Sequence, residues 1–160
     1  MFSNIYQVGE KPIPKEEYLT KHNLYDLPLA SIADYFEVSD NPEFQIEQLD
    51  KWLSRNHLGR VEENCIVLSG EGYLQSGYFR LGYQEFKEIT KQLNSISYER
   101  FVKDYDGLLD LLYQACQRIS DVNEDYICWN SKTPIPISEF LRKAEPDTPY
   151  YIGGICEYHY

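Results

Sequence analysis

A chain of 160 residues with 42% hydrophobic side chains is long enough for one ordinary core, and no apolar run approaches the roughly 18–20 residues of a membrane helix. Its 26 acidic against 15 basic side chains give a net charge of −11, spread as 13 against 7 over residues 1–80 and 13 against 8 over residues 81–160. A negative field of that extent repels phosphate backbones and anionic lipid. Nucleic acid and membrane surfaces are therefore expected to be excluded, and a basic protein is the expected partner.

The opening MFSNIYQV alternates as a strand and Gly9 closes it. With no basic start followed by an apolar stretch, this opening sets the cytoplasm as the expected compartment. PKEEYLTKHN reads as a short helix with Pro14 in its first turn, and PLASIADYF puts Leu29, Ile32, Ala33 and Phe36 on one helical face. The next helix spans Pro42 to Leu58, with Asn41 as cap, Gly59 as terminator and Ile46, Leu49, Trp52 and Leu53 facing inward.

CIVL, residues 65–68, is a continuous apolar run suited to a buried strand. The glycines at 70, 72, 77 and 82 then break the chain, and a kinked second strand is expected around Tyr73–Leu81. Phe86, Ile89, Leu93 and Ile96 have helical spacing. So do Phe101, Tyr105, Leu108, Leu109, Leu112, Cys116 and Ile119, read as one face of an amphipathic helix that divides at Gly107 with Asp106 as its second cap. DYICWN is a strand, PIPISEFLRKA a short helix and PYYIGGICEYHY a terminal strand. Strands at both ends and helices between them predict a single α+β domain over 1–160, with a small mixed or antiparallel sheet packed against several amphipathic helices.

KPIPKEEYL and TPIPISEFL repeat one pattern at residues 11–19 and 133–141. Two prolines one residue apart stop a strand and pre-set φ for a helix, so both copies read as strand-to-helix direction changes rather than a duplication.

Signatures of chemistry are sparse. SGEGYLQSG has Gln75 where a dinucleotide loop needs glycine, and it lacks the Gly-Lys-Ser/Thr of a phosphate loop. The four cysteines have apolar neighbours and read as buried, reduced thiols. Cys156 and His159 form one Cys-x-x-His pair without a second, so no metal and no cofactor are expected. His22 and His57 fall near helix ends, which leaves no positioned base for nucleophilic catalysis.

The remaining excess is tyrosine, 15 of 160 residues. Tyrosine with surrounding carboxylates favours a protein interface. The expected reading is a non-enzymatic acidic protein of the immunity or inhibitor kind that docks on a basic partner. Its candidate contacts are Glu71, Tyr73, Tyr78, Arg80, Tyr150, Tyr151, Tyr158 and Tyr160. The alternatives are a small enzyme with its site near Gly70–Gly82, built from Glu71, Tyr73, Tyr78 and Arg80, or a structural homodimer subunit.

Overall fold

The computed structural model describes residues 2–25, 35–70, 74, 76–119 and 125–159. Strand β1, Phe2–Gly9, runs through the interior: Ile5, Tyr6, Gln7 and Val8 are all buried, so both of its faces are covered. Its neighbours are β5, Tyr126–Trp129, which is parallel to it, and β7, Tyr150–His159, which is antiparallel. The long β7 carries two further strands on its other side. β4, Cys65–Leu68, pairs with its first residues, and β2, Tyr35–Val38, pairs with its last. β3, Gly59–Glu62, and β6, Ile135–Pro136, form the two ends of a mixed sheet ordered β3-β4-β7-β1-β5-β6. The expected α+β architecture is present, and the parallel β1–β5 pair makes the sheet mixed.

Tyr6 pairs with Ile155 but Val8 pairs with Ile152, so β7 carries one extra residue at Gly153–Gly154. This bulge resets the alternation: Ile152 and Ile155 face the same side, while Cys156 and Tyr158 face the other. Glycine is needed there because a Cβ on Gly154 would sit 2.7 Å from the backbone nitrogen of Leu19, and one on Gly153 would sit 2.6 Å from Gln7 Oε1.

One sheet face is covered by α2, Pro42–Arg55, and α6, Ile137–Lys143, whose Leu49, Leu53, Phe140 and Leu141 join Tyr6, Val8, Ile127 and Ile152. Asn41 caps α2 by accepting from the Phe44 N–H at 3.1 Å, and the left-handed His57 (φ 57°) ends the turn after it. Gly59, expected as a helix terminator, opens β3 instead, where a Cβ would lie 2.2 Å from the Val67 carbonyl oxygen.

The opposite face is covered by Leu19, which follows a 3-10 turn at Lys15–Glu17, and by Leu24 of the five-residue α1, Lys21–Tyr25. Two short pieces thus replace the single helix expected there. Pro14 and Pro136 stand immediately before helical turns, as the direction-change reading requires. The helix expected over PLASIADYF falls mostly outside the described residues, and its Phe36 is a buried strand residue in β2.

Three helices follow one another over residues 77–117: α3, Gly77–Asn94; α4, Tyr98–Lys103; α5, Tyr105–Gln117. The strand expected at Tyr73–Leu81 is overturned, since α3 begins at Gly77 and already occupies residues 77 to 81. Gly77 is the first residue of α3, and only Gly82 bears the cost of glycine inside a helix, about 1 kcal/mol, against which stand the edge-on contacts of Tyr78 with Trp52 and Phe79. The break before α5 falls at Asp104, not Gly107. The Asp104 carboxylate accepts from the Gly107 N–H at 3.1 Å and pairs with Arg100 at 2.9 Å, and these contacts hold its pKa below the usual aspartate range, the arginine contributing most.

Candidate functional site

Of the eight residues expected to form a contact patch, the five described ones are not gathered on one exposed face. Glu71, Tyr73 and Tyr160 lie outside the described residues. Tyr150 is 1% exposed and stacks edge-on against Trp129 and Phe140, with its hydroxyl accepting from the Glu145 N–H at 2.7 Å. Tyr158 is 2% exposed, on the other sheet face, edge-on to Tyr126. Both were expected at the surface as part of a terminal strand. They are core because β7 is a central strand with both faces covered, and of the described tyrosines in that segment Tyr151 alone is half-exposed. Tyr78 is half-buried between Trp52 and Phe79, at ring-centroid distances of 5.5 and 5.0 Å. Arg80 is exposed.

The exposed rings are elsewhere. Of the described tyrosines at the surface, Tyr83, Tyr98, Tyr105 and Tyr113 all belong to α3, α4 or α5, and Tyr35 is the exception. α5 explains how this arises. Eight of its thirteen residues are apolar or aromatic, too many for one buried face. Leu111 and Ala115 turn toward Ile89 of α3 and, with half-buried Phe86, Leu93 and Ile96, make a small core separate from that of the sheet. Tyr105, Leu109, Leu112 and Cys116, spaced i, i+4, i+7 and i+11, form a second stripe that faces solvent.

The stripe read from the sequence as one face of an amphipathic helix points largely outward: Phe101 is 67% exposed, Tyr105 72% and Leu112 50%. α4 extends it with Tyr98 and Val102. Between the helices lies a shallow apolar groove of about 470 Å³, lined by Leu93, Ile96, Tyr98, Phe101, Leu108 and Leu112.

Charge rims this surface. Arg100 and Lys103 are occupied by Asp104 and Glu99, which leaves Asp106 and Asp110 without a cation among the described residues. Cys116 is exposed, contrary to the expectation of four buried thiols, while Cys65, Cys128 and Cys156 are buried and all four are free. Burial pushes the Cys128 thiol up to about 11 and that of Cys156 up to about 12. Among the described residues no three His, Cys, Asp or Glu side chains are grouped to hold a metal.

At the sheet-proximal end of the same helices, a wider groove of about 930 Å³ lies between the first turns of α3, the end of α5 and α6. Tyr78 and Arg80, two of the expected site residues, line it.

No family model matches the chain, and neither a curated protein nor a solved structure is similar to it.

Proposed function

We propose that this chain is a non-enzymatic binding protein that docks on a basic protein partner, in the manner of immunity or inhibitor proteins, and that the outward face of α4 and α5 is its contact surface. The observation that carries this reading is the second apolar stripe of α5, continued by Tyr98, Phe101 and Val102 of α4. A helix needs one apolar face to fold onto its neighbour, and Leu111 and Ala115 already supply it.

Size supports the reading. Tyr98, Phe101, Val102, Tyr105, Leu109, Leu112 and Tyr113 are 48–83% exposed. With roughly 150–250 Å² for each large side chain, they present on the order of 800 Å², about one partner's share of a standard interface. Tyrosine and phenylalanine anchors in an acidic setting suit a partner with arginine and lysine around an apolar centre. The overall charge of −11 would speed that encounter and repel nucleic acid. Free thiols throughout suit a reducing compartment such as the cytoplasm.

The test is capture by the immobilised wild-type chain beside a Tyr105→Asp/Leu112→Asp variant, followed by affinity measurements on the captured protein at low and high salt. A basic partner lost by the variant, and bound more weakly as salt rises, is expected. Retention by the variant at undiminished affinity, or capture of acidic proteins alone, overturns the proposal. Light scattering distinguishes a second copy of the chain, which would have to join two −11 surfaces.

A further inference from the structure

The wider groove differs in character from the rest of this acidic molecule. Its lining holds three arginines, Arg80, Arg118 and Arg142, against one carboxylate, Glu85. Each guanidinium stands in a different state. Arg142 donates from Nη1 to the Ser138 carbonyl at 2.9 Å and lies 5.2 Å above the Phe79 ring, so its plane is fixed while its remaining N–H groups stay available. Arg118 pairs with Glu85 at 2.9 Å, with both side chains substantially exposed. Arg80 has no side-chain partner among the described residues. The rings of Tyr78, Phe79, Tyr83 and Phe86 line the same groove.

Guanidinium groups recognise carboxylate and phosphate through paired N–H donors, and aromatic walls take the flat face of a ring. The groove volume falls in the range of small-molecule sites, about 300–1,000 Å³. We infer that this groove is a binding site for a small organic anion that joins an aromatic or heteroaromatic ring to a phosphate or carboxylate group. Arg80 and Arg142 hold the anionic end, and the α3 rings hold the flat body. Arg118 is the reserve donor, freed from Glu85 when an anion competes for it.

Calorimetric titration tests the assignment with four probes. AMP and phenyl phosphate carry both features, inorganic phosphate carries only the charge and adenosine only the ring. Saturable binding of AMP or phenyl phosphate is expected, with inorganic phosphate and adenosine at least about tenfold weaker. AMP well ahead of phenyl phosphate would identify a nucleotide as the source, and the reverse a simple aromatic acid. Arg80→Gln, which breaks no side-chain contact among the described residues, is expected to weaken binding about tenfold, the scale of one charge-assisted hydrogen bond. Arg142→Gln should do the same in a variant shown by its melting curve to be folded. Tyr105→Asp/Leu112→Asp, outside the groove lining, should bind the probe as wild type does. Absence of binding by either ring-bearing anion tighter than about 1 mM, equal affinity for inorganic phosphate, or affinity unchanged in both arginine variants overturns the inference.

Discussion

Replacing Gln7 with leucine should be among the most damaging single changes in this chain. Gln7 is 1% exposed, and its amide ties three segments together. Oε1 accepts from the Leu19 N–H at 3.0 Å and from the Gly154 N–H at 2.9 Å, while Nε2 donates to the Glu17 carbonyl at 2.9 Å. Leucine has similar bulk and none of these groups, so two buried donors would be left unpaired at about 1–3 kcal/mol each. The Glu17 carbonyl belongs to an exposed residue and can turn to water at smaller cost. Leucine recovers about 1 kcal/mol through extra apolar burial. The net loss is about 3 kcal/mol, a large share of the 5–15 kcal/mol typical of a domain. Urea unfolding followed by far-ultraviolet circular dichroism would register it as a midpoint lowered by about 1–2 M, for a slope near 2 kcal/mol per molar. Because the lost bonds anchor residues 17–19 to the bulge in β7, amide exchange at Leu19 and Gly154 should rise first. A variant within about 0.5 kcal/mol of the parent would show that the amide is not what holds the N-terminal layer to the sheet.

Neighbouring leucines on α5 should respond in opposite ways. Leu111→Ala, at a buried site, is expected to cost about 2 kcal/mol, the low end for a core truncation because this cluster is small. Leu112→Ala, 50% exposed, should change stability by less than about 0.5 kcal/mol, and equal losses in denaturant melts would place the wrong face outward. A disulfide reagent at pH 8 should modify Cys116 alone in the native chain and all four thiols in denaturant; fast labelling of a second thiol contradicts the burial and raised pKa of Cys65, Cys128 and Cys156. Asp125 is raised mainly by burial, partly offset by the Asn4 N–H that donates to it at 2.8 Å. A raised folded-state value means that its contribution is fully present below the ordinary aspartate pKa of about 3.9 and fades as pH climbs through the raised value. Asp125→Asn, whose Oδ1 can still accept from Asn4, should therefore be the more stable form at pH 7, and the gap should close in acid; a gap unchanged across that range in pH-dependent melts refutes the reasoning.

Local chemistry made some of this legible in advance. Asn41-Pro42 announces α2, and its Leu49 and Leu53 are buried as their spacing requires. CIVL and DYICWN are interior strands because continuous apolar runs need cover on both faces. What failed were inferences about surroundings. Periodicity found the stripe from Phe101 to Cys116, yet a period states which residues share a face, not whether anything lies against it. Tyr150 and Tyr158 looked terminal and exposed, but strand order placed them in the core, and strand order is set by partners far away in sequence. The glycines at 77 and 82 suggested a broken strand, whereas aromatic contacts to Trp52 and within α3 favour the helix. β3 went unread because its hairpin turns through Glu63-Asn64, both at positive φ, and not through the usual Asn-Gly.

The position of β7 has a consequence for synthesis. β1 emerges first, yet its long antiparallel edge stays bare until residues 150–159 have cleared the ribosome, and its other edge waits for residues 126–129. Meanwhile the α3–α5 hairpin, whose contacts are nearer neighbours in sequence, can assemble as soon as it appears. From the synthesis of residue 9 until that of residues 126–129 the nascent chain thus exposes an unpaired apolar strand, and this is the interval in which a chaperone has most to offer it.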